Sequence, residues 1–192
     1  SSEYEKAIYY SCKIIEAKIN TLLYVKNLKI IDRSFFVKTS IHQLIVKIIR
    51  IYQSLFKERN IHINIYEFYE TIYTDYDSIS IIPHTIIDNA LKYSPEGSNF
   101  IISFSSNLDT ISIDFESLGP KIFQHERDII FQMGFRGENA QKISEDGLGF
   151  GLYALKQILN KLNGDISLWQ NDNEDISYKG YYRTIFTVKL PK

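Results

Sequence analysis

The stretch that most constrains this chain runs from Glu145 to Gly164, Glu-Asp-Gly-Leu-Gly-Phe-Gly-Leu-Tyr-Ala-Leu-Lys-Gln-Ile-Leu-Asn-Lys-Leu-Asn-Gly. Glycines alternate at 147, 149 and 151. An amphipathic run follows at once, with Leu152, Leu155, Ile158, Leu159 and Leu162 at helical spacing. A glycine loop that feeds a helix start suits an anion. Glycine lets the backbone approach closely, and free amide N–H groups and the helix dipole favour negative charge there. The same three glycines also suit a flexible loop ahead of a core helix, because a short glycine motif is weak evidence alone.

The chain's 192 residues suit one domain plus an appendage. A net charge of −1 points away from nucleic acid and anionic lipid as partners. The single Cys12 excludes an internal disulfide framework and a cysteine-based metal cluster, and it fits a reducing compartment. No run reaches the roughly 18 to 20 apolar residues of a membrane span, and no signal-peptide pattern is visible. A cytoplasmic location is expected. The opening Ser1-Ser2, without Met, points to a processed or excised chain and leaves room for a membrane-anchored or sensory part upstream.

Residues from about 3 to 30 read as one helix, with Ala7, Ile8, Ile14, Ile15, Ile19, Leu22 and Leu23 near the helical period. This helix has little local partner sequence. Its stripe is expected on another helix, across a dimer or in a bundle, with packing on its own domain as the alternative. Phe35 to Val37 is a strand candidate, and Ser40 can cap a second helix carrying Ile41, Leu44, Ile45, Ile48, Ile49, Tyr52, Leu55 and Phe56. Ile61, Ile63 and Ile65 alternate as in a half-buried strand, with Glu70 to Thr74 as its possible partner. A third helix spans Tyr76 to Tyr93, with Pro83 inside, and Ser94-Pro95-Glu96-Gly97 stops it. Strands follow at Phe100 to Ser105 and Thr110 to Phe115, then a short helix at Lys121 to Met133 and a long mobile loop at Gly134 to Gly147. After the glycine-led helix come strands at Asp165 to Trp169 and Tyr182 to Leu190. This order predicts an α/β (α+β) two-layer sandwich, with helices on one face of a mixed, largely antiparallel sheet.

The third helix also carries chemistry. Asn89, Lys92 and Tyr93 fall within about one turn. An Asn amide oxygen can ligate a hard cation, a Lys can reach phosphate oxygens, and a Tyr can lie against a base. With Leu118 to Ile122 and Ile130 to Ala140 further on, the sequence resembles the ATP-binding catalytic domain of sensor histidine kinases. That superfamily is shared with DNA gyrase, a heat-shock chaperone ATPase and a mismatch-repair ATPase. Asp88 to Pro95 matches the N box, Ser117 to Ile122 the G1 box, Ile130 to Gly137 the F box and Gly147 to Leu152 the G2 box. Thr184 to Pro191 resembles the last strand. The blocks stand in the family's order over roughly residues 34 to 192.

The resemblance implies a domain boundary near 31/32. Residues 1–31 would be placed like the second helix of a dimerisation and phosphoacceptor hairpin, and 32–192 would form the ATP-binding domain. It implies that Asn89 holds Mg²⁺, that Lys92 contacts phosphates, and that Tyr93 lines the pocket. Gly147, Gly149, Gly151 and Leu152 would close over the phosphates, with Arg136 at the γ-phosphate. Ser117, Gly119, Ile122 and Thr184 would surround the adenine. The implied partners are the hairpin helices of a homodimeric parent and a response regulator, with no nucleic acid.

Three departures stand out. Ser117 takes the place of the family's G1 Asp, so the base meets a hydroxyl without charge. Lys121 replaces the second G1 glycine, where it would block the pocket mouth or add a cation near phosphate. Thr85 replaces the first N-box Asn, the position at which hydrolytic relatives carry a general-base Glu, which argues against efficient attack by water. None of the four histidines has the phosphoacceptor context, so the acceptor is expected upstream or on a partner. The expected function is γ-phosphoryl transfer from ATP·Mg²⁺ to a histidine outside this chain. A non-catalytic nucleotide-sensing or interaction module with the same fold is the alternative.

Overall fold

The alternating and helical patterns become strands and helices in a computed structural model that describes residues 3–28, 31, 35–144 and 147–192. The order is α1 (Glu3–Lys26), β1 (Val37–Ser40), α2 (Ile41–Glu58), β2 (His62–Ile65), β3 (Thr71–Thr74), α3 (Tyr76–Tyr93), β4 (Asn99–Ser106), β5 (Thr110–Pro120), α4 (Gln124–Arg127), α5 (Glu138–Ile143), α6 (Gly151–Lys161), β6 (Asp165–Gln170) and β7 (Tyr181–Pro191). Five strands form one sheet in the order β2-β4-β5-β7-β6, parallel at β2/β4 and antiparallel elsewhere. Helices α2, α3 and α6 cover one face, giving the two-layer sandwich that the sequence pattern predicts.

Period-2 alternation sets the register. Ile102, Phe115, Phe186 and Leu168 form one row across β4, β5, β7 and β6. Opposite them lie Ile48, Tyr52 and Phe56 of α2, Ile82 and Ile86 of α3, and Leu155, Ile158 and Leu159 of α6, all but fully buried. Each such side chain contributes roughly 1.5–3 kcal/mol on burial. Ser40 caps α2 by accepting from Gln43 N at 3.4 Å, and Asp75 caps α3 by accepting from Ser78 N at 2.7 Å. Pro83 stays inside α3, buried in the core.

Four expectations change. Phe35 and Phe36 precede β1, which continues into Ser40 instead. β3 pairs with β1 in a separate two-stranded sheet, while the partner of β2 is β4. Only Gln124–Arg127 is helical within 121–133, because Glu126 turns back to accept from Phe123 N at 2.8 Å. The loop expected over 134–147 contains α5, whose first residue Glu138 donates its backbone N–H to Glu126 at 2.7 Å. Residues 145 and 146 of that loop, and residues 32–34 beside the expected domain boundary, lie outside the described residues.

α1 answers its two readings with two faces. One face rests on α2, α3 and α6, burying Ala17 and Tyr24 with Ile14 partly covered. The other leaves Ile8, Ile15, Ile19 and Leu22 exposed. No helix among the described residues is long and apolar enough to cross a membrane.

Candidate nucleotide-binding site

A cavity of about 440 Å³ opens over the ends of β5 and β7, between α3 and α6, with α1 along one side. Every residue that the sequence marks as a site candidate lines it. Asn89, Lys92 and Tyr93 come from the end of α3, and Ser117, Gly119 and Ile122 from the end of β5. Gly147, Gly149, Gly151 and Leu152 come from the glycine stretch, Arg136 from the segment before α5, and Thr184 from β7.

One end is built for anions. The Lys92 ammonium lies 2.8 Å, and Arg136 Nε 3.6 Å, from the point where a Cβ on Gly147 would stand. Two cations 44 residues apart in the chain thus meet at the glycine that leaves room for them. Lys92 also sits 5.5 Å from the Tyr93 ring centroid, and Arg136 Nη2 donates to the Ser144 carbonyl. α6 begins at Gly151 with no side-chain cap from Phe150, so its first amide N–H groups are available to a ligand. The methyl of Thr85 lies 3.1 Å from where a Cβ on Gly151 would be, which explains a glycine where α6 crosses α3. Gly149 has φ +67°, and a Cβ there would meet the Gly134 carbonyl carbon and the Phe135 carbonyl oxygen at 2.6 Å. Gly134 N donates to Gly149 O at 3.1 Å, strapping the two ends of the 134–149 segment together. Asn89 stands beside this end, and among the described residues its amide makes no hydrogen bond to protein.

The other end is apolar with a polar row. Ser117, Thr184 and Gln170 lie side by side across β5, β7 and β6. Thr184 Oγ donates to the Tyr182 carbonyl at 2.9 Å and accepts from Gln170 Nε2 at 2.9 Å. Gln170 Nε2 also donates to the Pro120 carbonyl, and its Oε1 accepts from Ile122 N, both at 2.8 Å. Gln170 therefore holds the end of β5 to the rim strand and orients Thr184. Sequence reasoning did not single it out. The signal was its inward parity with Ile166 and Leu168, which makes it a buried polar residue in need of partners.

Lys121 lines the cavity, with its ammonium held by neighbouring groups. Its ammonium donates to the Asp172 carbonyl at 3.0 Å and lies 4.5 Å from the Tyr182 ring centroid. The loop after β6 also anchors Arg127 through Asp172 at 3.2 Å. Further along the cavity wall, His84 Nδ1 and Tyr52 OH are 3.0 Å apart. Burial pushes the His84 imidazole down to about 4, against a weaker opposing pull from Asp88 and Glu16, so it is neutral near pH 7. The Asp88 carboxylate pairs with Lys18 of α1 at 3.2 Å.

A glycine cradle with two cations, an open helix start and a flat apolar end defines a site for an aromatic polyphosphate. The chain belongs to the histidine kinase-, DNA gyrase B- and HSP90-like ATPases, whose family model matches residues 74–192. ATP is the ligand such a domain takes. Among curated proteins it is 32% identical over 130 residues to the histidine protein kinase SaeS of Staphylococcus aureus, across 66% of this chain and 37% of that one. The chain thus spans well under half the length of the curated relatives it matches. Among solved structures, the nucleotide-free catalytic domain of histidine kinase ThkA superposes with a TM-score of 0.68 at 18% identity, covering 82% of this chain and 95% of that one. The histidine kinase AdeS of Acinetobacter baumannii superposes with a TM-score of 0.66 at 21% identity, covering 92% and 76%. These two likenesses establish the fold.

Proposed function

We propose that this domain binds ATP with Mg²⁺ and presents the γ-phosphoryl group to a histidine on a dimerisation hairpin, as the catalytic part of a sensor histidine kinase. The observation that carries the reading is the convergence of Lys92, Arg136 and the α6 start on Gly147, with the unpartnered Asn89 amide alongside. The donor chemistry fits a hard cation, since the Asn89 amide oxygen suits Mg²⁺ when phosphate oxygens complete the shell. Bound there, Mg²⁺ would neutralise charge on the phosphate oxygens.

The chain's own residues bind and orient. Lys92 and Arg136 hold the phosphates, the first α6 amides add dipoles, and the Gly134–Gly149 hydrogen bond fixes the two ends of the segment that borders them. The acceptor imidazole nitrogen forms a bond to the γ-phosphorus as the bond to the bridging oxygen breaks, and ADP leaves with that electron pair. Thr85 supplies no carboxylate to activate water, which favours a protein acceptor over hydrolysis. α1 would be one arm of the hairpin, with the other arm, the acceptor histidine and a response regulator outside this chain. The relative ThkA has a solved complex with the response regulator TrrA. Lys121, held on Asp172 and Tyr182, leaves the cavity open, which favours this reading over a fold that has lost its nucleotide.

Calorimetric titration with adenosine imidotriphosphate and Mg²⁺ tests the proposal. Saturable binding that Asn89→Ala weakens at least tenfold with Mg²⁺ and little with EDTA is expected. No heat at high protein concentration would overturn it. Transfer of labelled γ-phosphate to a supplied hairpin separates the kinase from a nucleotide sensor.

A further inference from the structure

We propose that this pocket accepts 6-oxopurine and 6-aminopurine nucleotides with similar affinity, and that Ser117 sets this breadth. The inference rests on the nucleotide reading above and adds the base class. The cavity's own polarity fixes the direction of the ligand. Lys92, Arg136 and the α6 start occupy one end, so a polyphosphate lies there and the base lies at the other, against Ser117, Ile122 and Thr184.

Selection between purines needs a polar group of fixed sense at the 6 position. A carboxylate there accepts from an amino group and repels a carbonyl oxygen. Two carboxylates line the cavity among the described residues, and neither serves. Glu126 is buried, with both oxygens taken by the backbone N–H groups of Phe123 and Glu138. Asp88 is paired with Lys18 on the α1 side. Thr184 does not serve either, because its buried hydroxyl is already engaged, donating to Tyr182 O and accepting from Gln170. Gln170 in turn has both amide hydrogens and its oxygen engaged. Ser117 differs. It faces the cavity opposite Thr184, and its hydroxyl makes no hydrogen bond to protein among the described residues.

A hydroxyl that rotates freely can accept from a 6-amino group or donate to a 6-oxo group. Strong rejection of an analogue arises when a buried site group is left unpaired, reaching about 10⁴ to 10⁵. Ser117 is left unpaired by neither purine, so that penalty is absent. Inosine triphosphate is the clean probe, because it differs from adenosine triphosphate at the 6 position and N1 alone.

The experiment is titration of the full 192-residue chain with adenosine and inosine imidotriphosphates, each with Mg²⁺. The expected Kd ratio is within about tenfold for the wild type, rising to at least about thirtyfold in favour of adenosine in Ser117→Asp. A wild type that prefers adenosine by more than about a hundredfold overturns the proposal while leaving nucleotide binding in place. So does an Asp variant that keeps its fold by thermal melt and shows the wild-type ratio. Absence of binding by either nucleotide removes the nucleotide reading itself and this inference with it. The wild-type ratio decides the breadth of the pocket even if the Asp variant does not fold.

Discussion

Replacing Gln170 by Leu tests whether the base end of the cavity is held by one side chain. The two residues have similar volume, so no large void is left, and the change removes polarity alone. Three hydrogen bonds disappear, to Pro120 O, to Thr184 Oγ and from Ile122 N, each between 2.8 and 2.9 Å. Gln170 is 2% exposed, so water does not replace them readily. At roughly 1 kcal/mol each, the loss is about 3 kcal/mol, and the Ile122 N–H left without a partner pushes in the same direction. For a domain of this size that lowers Tm by about 6–12 °C. Thermal unfolding followed by circular dichroism reads it. Nucleotide affinity should fall as well, because the β5 end carrying Gly119 and Ile122 is no longer tied to β6. A Tm drop under about 2 °C with unchanged nucleotide affinity would refute the assignment of Gln170 as the tie between β5, β6 and β7.

Gly149→Ala places a Cβ 2.6 Å from the Gly134 and Phe135 backbone at φ +67°. About 1–2 kcal/mol of backbone strain, plus about 1 kcal/mol for the Gly134–Gly149 hydrogen bond, should weaken nucleotide binding about thirtyfold or more. The strain is relieved by opening the segment, so Tm moves little; titration and melting together check this. His84, ordinarily 6.5 and held at about 4 by burial, takes a proton sooner in the unfolded chain than in the folded one. Its contribution to stability is therefore intact above pH 6.5 and is lost as pH falls from there through about 4. His84→Phe should flatten the dependence of Tm on pH in that window. Lys18 and Asp88 are 61% and 41% exposed at the side chain, so Lys18→Ala should cost well under 1 kcal/mol. Faster hydrogen exchange in α1 at unchanged Tm is the expected signature, and a Tm drop above 3 °C would contradict it.

The phosphate end was legible in the sequence because its parts are local. Gly147, Gly149, Gly151 and Leu152 fall within six residues of one motif, and Asn89 and Lys92 share one helix face. Periodicity gave the order of elements, since α2 and the five sheet strands bury their apolar faces with few interruptions. The base end was less legible because it is made by register. Ser117, Thr184 and Gln170 meet only once β5, β6 and β7 are aligned, over a separation of 14 residues within the second pair and 67 within the first. The F-box region misread for a related reason. A short helix was expected over 121–133, but the carboxylate of Glu126 serves Phe123 and Glu138 at once, leaving one turn of helix before it and starting a second short helix at Glu138. Lys121 resisted prediction because its partners, Asp172 and Tyr182, are 51 and 61 residues away in the chain and reach it only once β5, β7 and β6 are aligned.

α1 carries an apolar seam on its outer side and touches the cavity on another. Its exposed seam of Ile8, Cys12, Ile15, Ile19 and Leu22 alternates by four and three residues, the spacing of a coiled coil. Such side chains offer roughly 500 Å² per chain, so two copies meeting through α1 alone would bury roughly 1,000 Å², the lower bound for a specific interface. A second helix per chain would bring the interface into the usual range, as a hairpin bundle requires. Flanking this seam, α1 borders the cavity through Ala17, Lys18, Thr21 and Leu22. A ligand held beside Asn89 therefore lies one residue from the Asp88 that Lys18 touches. That exposed ion pair carries little energy, so the packing of Ile14, Ala17 and Tyr24 is the stronger link between α1 and the domain that holds the cavity. Substitutions that trim those three side chains should change nucleotide affinity more than removal of the visible salt bridge does.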